Sequence, residues 1–295
     1  MRRKPHLLAL LLLLLTSATR CVQSNTYSTV GTELNVPAKN GVAAKPSEVL
    51  SKKGIVAVDR FPGSLVWNAC APKSGSKRTI AVFDFDIGGG PTGCDSIVIR
   101  RLNQAGHATV ILSMTFKEPN HVFDVVLPAL MDAVQKAIIT ATAQLALSPP
   151  AGTWGYGDGA IVAGLFAREK KLPWTILGGG AYDLAEAKAR ATDMKLRDRI
   201  TATLANRGQS VIEEYSLAYN TEGMPKKVFL YHAAKDNLYA PHQSEALRET
   251  LAAAEIEVYL QMLPEASHDL SDDVHSAVLV KALSFVLGED KNQKK

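Results

Sequence analysis

The chain is short of the features that would give it away cheaply. It has three cysteines, no paired His or Cys at metal-ligand spacing, and no internal repeat. The first keeps any disulfide framework small; the second argues against a structural zinc or a catalytic metal site, and no cofactor is implied. Charge excess is also missing. Arg2, Arg3 and Lys4 sit in the first 18 residues, which carry no acid, and the 33 basic residues less these three leave 30 against 29 acidic. A nucleic-acid partner, which would need a basic surface, is therefore not expected. The one long apolar run, Leu7 to Leu15, has about half of the roughly 20 residues that a membrane-spanning helix requires. No transmembrane segment is expected in the mature chain.

What is there begins with a leader. Residues 1–18 combine a basic start, the apolar run, and the small residues Thr16 and Ala18 before a cleavage point, the pattern of a secretory signal peptide. Localisation is expected to be secreted or periplasmic. Arg20 stands where a lipobox needs a small residue, which argues against a lipid anchor at Cys21. Export also bears on Cys70 and Cys94, because thiols outside the cytosol tend to oxidise. They are candidate partners in a disulfide, the alternative being two buried free thiols. Residues 19–50 read as an N-terminal extension, 51–288 as one domain of a 31.7 kDa chain, and 289–295 as a disordered tail.

Within the domain, short apolar runs alternate with segments of helical period, which argues for an α/β fold with a largely parallel sheet. Strands are expected at 55–58, 64–71, 79–85, 108–113, 174–177, 228–231 and 256–262, with a further strand leading into Gly155. Helices are expected at about 95–105, 122–147, 158–170, 242–254 and 274–287. Pro149 and Pro150 stop the second of these. Residues 183–219 are rich in Ala, Arg, Lys and Glu without a strand signal, and suggest a small helical cap.

Four local features then fall into one order. Thr153-Trp154-Gly155-Tyr156-Gly157-Asp158-Gly159 reads as a sharp strand-to-helix elbow, and Gly88-Gly89-Gly90 follows a central strand. Asp236 closes the run Val228 to Asp236, and His268 follows the last strand. Together these resemble the α/β-hydrolase fold, nearest to its dienelactone-hydrolase and prolyl-oligopeptidase-like branches, over roughly residues 50–290. The resemblance implies a mostly parallel central sheet of about eight strands with helices on both faces and a small cap. It also implies a nucleophile at position 157, an acid at Asp236 and a base at His268, with oxyanion donors in the amides of Asp158, Ile87 and Gly88.

The nucleophile position holds glycine. An activated serine hydroxyl is what such a site needs, and Gly157 has no side chain. Glycine is also the residue that relieves strain on a sharp turn, so the change has a physical benefit independent of catalysis. Asp84 and Asp86 precede the glycine loop, where an ionised carboxylate would oppose a developing oxyanion. Asp158 is an alternative nucleophile only if the elbow shifts by one residue, which would put Tyr156 where a small residue is required. The expected function is that of an exported hydrolase-like protein, impaired as a serine hydrolase, acting as a pseudoenzyme that binds a small ester, acyl or peptide ligand. Two alternatives stand beside it: a working ester or peptide hydrolase that uses Asp236 and His268 with water or another nucleophile, and a non-catalytic protein-interaction module.

Overall fold

A computed structural model describes residues 49–59, 64–85, 93–114, 126–190 and 209–288, together with Met194, Arg197, Asp198, Ile200 and Thr201. The leader, Cys21, the loop carrying Asp86, Ile87 and Gly88, and the tail 289–295 lie outside the described residues. Among the described residues, no helix is long and apolar enough to cross a membrane.

Eight strands form one sheet: β1 Val49–Ala57, β2 Ser64–Pro72, β3 Arg78–Asp84, β4 His107–Met114, β5 Pro150–Tyr156, β6 Trp174–Gly178, β7 Lys227–Ala233 and β8 Glu257–Leu263. Their spatial order is β1-β2-β4-β3-β5-β6-β7-β8. The pairs β1/β2 and β2/β4 are antiparallel; from β4 to β8 every pair is parallel. The helices are α1 Ile97–Gln104, α2 Val126–Gln144, α3 Asp158–Glu169, α4 Leu184–Arg190, α5 Gln209–Tyr215, α6 His242–Ala253 and α7 Asp272–Leu287. Ser96 and Ser271 cap α1 and α7, their hydroxyls accepting from the amides of Ile99 and Val274.

Period-two alternation sends successive strand residues to opposite faces, and in a parallel sheet both faces need apolar cover. Ala81, Phe83, Val110, Leu112, Val228 and Leu230 pack on one side with α2 and α3. Ile80, Val82, Ile111, Trp154, Phe229 and Tyr231 pack on the other with α1 and α7. This is why the inner strands read as unbroken apolar runs; β4 is buried at all eight positions.

The antiparallel edge is different. β1 starts at Val49, six residues before the expected strand, because Ser51, Lys52 and Lys53 face solvent on an edge whose pairing with β2 needs no apolar pattern. Of the expected cap, the described parts are the short helices α4 and α5. Cys70 in β2 and Cys94, three residues before α1, are joined by a disulfide with their Cα atoms 5.6 Å apart. The bridge closes a loop that contains β3 and contributes about 3 kcal/mol by constraining the unfolded chain.

Candidate active site

All the parallel strands end at the same edge of the sheet, and the loops leaving β5, β7 and β8 there build the site. The first is the elbow. β5 runs to Tyr156, α3 begins at Asp158, and the residue between them, Gly157, has φ 57° and ψ −127°, a backbone state that L side chains adopt only with strain. The turn is held by Gly157 N donating to Gly178 O at 2.9 Å and Ala160 N donating to Gly157 O at 3.1 Å.

The three elbow glycines are there for different reasons. A Cβ on Gly159 would lie 2.1 Å from Phe83 O, and one on Gly155 would lie 2.3 Å from Gly159 O, so neither position has room for a side chain. Gly157 has room. Among the described residues, a Cβ there would meet His268 Cε1 and Nε2 at 3.7 Å and Tyr239 Cε2 at 3.9 Å, ordinary van der Waals contact. The hydroxyl of a serine at 157 would therefore stand beside the imidazole.

β7 and β8 are neighbouring parallel strands, so the loops that follow them leave side by side. Ala234 N donates to Leu263 O and Lys235 N to Ala266 O, both at 2.9 Å, lacing the two loops together. This brings Asp236 and His268 into contact across 32 residues: His268 Nδ1 donates to Asp236 Oδ2 at 2.8 Å. Nδ1 carries the hydrogen, and Nε2 faces the elbow.

Asp236 has an unusually full set of donors. Its Oδ1 accepts from the amides of Leu238 (2.9 Å) and Tyr239 (2.8 Å), the geometry of an Asx turn. Its Oδ2 also lies 3.3 Å from His232 Nε2. Burial by itself would raise its pKa, but the hydrogen bonds from His232, His268 and the Tyr239 amide, with the charge on His268, outweigh this and hold the carboxyl well below the usual carboxylate range. Asp236 is therefore ionised at neutral pH.

Two tyrosines complete the frame. Tyr239, 2% exposed, packs edge-on against the His268 ring with centroids 5.4 Å apart and donates its hydroxyl to Asp158 Oδ1, tying the acid loop to the start of α3. Tyr156 donates to His268 O at 2.7 Å and lies 5.3 Å from the imidazole, ring to ring. Behind it, Trp154 Nε1 donates to Tyr231 Oη at 3.0 Å, which leaves the Tyr231 hydrogen for His275 Nδ1 at 3.1 Å. Burial lowers the His275 pKa to about 4 against an upward pull from Asp272, with a smaller downward push from His268. At neutral pH His275 is thus an uncharged acceptor.

No protein-family model matches the chain, and no curated protein matches its sequence. Its structure has many likenesses. A Pyrobaculum calidifontis esterase superposes with TM-score 0.57 at 15% identity, covering 81% of this chain and 85% of the esterase. A Pyrococcus horikoshii acylaminoacyl peptidase gives 0.61 at 12% identity, and an acylaminoacyl peptidase in complex with Z-Gly-Gly-Phe-chloromethyl ketone gives 0.64 at 15%. Both cover 84% of this chain, which spans 42% of the length of each peptidase. This chain has the α/β-hydrolase fold.

Gly157 lies on the elbow after β5, with Asp158, the first residue of α3, beside it, and Asp236 and His268 lie on the loops after β7 and β8. Of the other expected oxyanion donors, Ile87 and Gly88 are outside the described residues, as is Asp86. Asp84, half-buried at the end of β3, accepts from Ser113 Oγ at 3.4 Å. Cys94 is bridged to Cys70 rather than presented as a thiol. The residues that sequence reasoning underweighted are Tyr156, Tyr239 and His232. The available signals were adjacency to Gly157 for the first, and three- and four-residue spacings from Asp236 for the others.

Proposed function

We propose that the chain is an exported α/β-hydrolase-fold protein whose site above Gly157 binds a small ester, acyl or peptide ligand without forming the acyl-enzyme of a serine hydrolase. The observation that carries this reading is the pairing of an intact acid–histidine contact, His268 to Asp236 at 2.8 Å, with a glycine where the attacking hydroxyl would be. A site that keeps its frame and lacks its nucleophile still offers shape and hydrogen bonds to a ligand. The similar solved structures, an esterase and acylaminoacyl peptidases with one in complex with a peptide chloromethyl ketone, support the choice of ligand class.

A thermal-shift screen of the purified protein against N-acylated di- and tripeptides and short-chain esters tests it. The expected result is a saturable rise in Tm with at least one class, weakened by His268→Ala. A screen with no shift in either class sinks the proposal.

A second reading follows from the retained His268–Asp236 bond: His268 Nε2 takes a proton from water as the water attacks the ligand carbonyl, then gives it to the leaving group. Without the covalent nucleophile, about 10³ to 10⁴ of acceleration over water is the scale left to such sites. Slow, burst-free hydrolysis of a nitrophenyl ester that disappears in His268→Ala would establish this reading.

A further inference from the structure

His232 is the last but one residue of β7 and fully buried, with no acyl or peptide chemistry assigned to it. Its ring is pinned at both nitrogens. Nδ1 is 2.7 Å from Ser244 Oγ at the start of α6, and Nε2 is 2.9 Å from Tyr239 O and 3.3 Å from Asp236 Oδ2. A carbonyl and a carboxylate can only accept, so Nε2 carries the hydrogen and shares it between them. The hydrogen shared with Asp236 falls on the same oxygen that receives His268 Nδ1.

We infer that His232 is a positioning residue of the dyad: its Nε2 hydrogen fixes the Asp236 carboxylate against His268 and draws off part of the charge that Oδ2 presents to it. Two imidazoles compete for one oxygen, and the fully buried one sets how basic the part-buried one is. Ser244 holds the ring from behind, so the control extends from α6 through β7 to the elbow. This deepens the reading of the site given above and rests on it for its relevance to ligand turnover. It does not depend on any ligand for its test.

The His268 ring is titrated by NMR in the ligand-free full chain. The ionisable groups around it, Asp236, Tyr156, Tyr239 and His275, with Asp269 acting on Tyr156, are the same in every variant, so differences report on His232. In His232→Phe, Asp236 loses a donor and binds the His268 proton more strongly, and the midpoint rises by about half a pH unit or more. His232→Gln, which can again donate an N–H toward Asp236, returns it most of the way. Should the phenylalanine variant fail to fold, Ser244→Ala leaves the imidazole in place without its rear support, and a smaller rise in the same direction is expected. An unchanged or lowered midpoint in the folded variants overturns the inference. Loss of ligand binding with the midpoints as expected would instead count against the functional reading alone.

Discussion

The two halves of the site are built on opposite terms. On the β7–β8 side each functional atom is also a structural one: Asp236 closes its own turn through two amides, holds His268, and is held by a histidine that itself packs against α6. Removing Asp236 would deprive two amides and His268 Nδ1 of their shared acceptor, at a cost of about 1–3 kcal/mol or more. On the elbow side the reverse is true of position 157. Its conformation suits glycine, and among the described residues no contact depends on a side chain there. A side chain at 157 is therefore dispensable to the fold, whereas the acid–histidine contact is bound up with it. A retained acid–histidine pair is weak evidence for turnover, because the fold alone would keep it.

Gly159→Ala breaks the elbow outright. The added carbon would stand 2.1 Å from a backbone carbonyl in the central strand β3, where neither side can yield. A loss of more than about 4 kcal/mol, or failure to fold, is expected in urea unfolding. If the variant unfolds within 1 kcal/mol of the parent, the close packing of α3 on β3 is not what the structure implies.

Acid breaks the other half. The unfolded chain protonates His275 near 6.5, while the folded chain resists until about 4, so the unfolded state binds the extra proton between those values. Stability present at pH 7 is lost as the pH falls through that window, by about 2–3 kcal/mol. Asp236 adds to the loss from the ordinary carboxyl range downward, where the unfolded carboxyl takes up a proton and the folded one does not. Urea midpoints measured at pH 7 and pH 4.5 should therefore differ, and His275→Gln should remove most of that difference.

Gly157→Ser sharpens the contrast. The positive φ costs about 1–3 kcal/mol, the smallest of these stability effects. Because the new Cβ meets only ordinary contacts, the hydroxyl falls beside His268 Nε2. Esterase activity with a burst of one equivalent is expected, visible with a nitrophenyl ester, and its absence in a folded variant would mean that the oxyanion side has changed as well.

Much of this was legible in the sequence, for reasons that differ by element. The inner strands announce themselves because both faces are buried, so Ile80 to Phe83 and Val228 to Tyr231 are apolar without interruption. The edge strand β1 hides half of itself behind Ser51, Lys52 and Lys53. The positions of Asp236 and His268 could be read from chain order, since adjacent parallel strands leave their loops at one edge. What could not be read were side-chain contacts that β5 and β7, separated by β6 in the sheet, make with each other and with α7. Trp154, Tyr231 and His275 join across 77 and 44 residues, with no periodicity to mark them. The pairing of Cys70 with Cys94 was likewise open until β2 and the start of α1 were placed beside each other.

The 3.7 Å between His268 and the side-chain position on Gly157 bears on how readily chemistry could be installed here. Had the described neighbours closed over the site, adding a nucleophile would require several concerted changes, each disadvantageous alone. Among the described residues the space is open, and a selection for ester cleavage, with position 157 free to vary, would measure how short the route to turnover is.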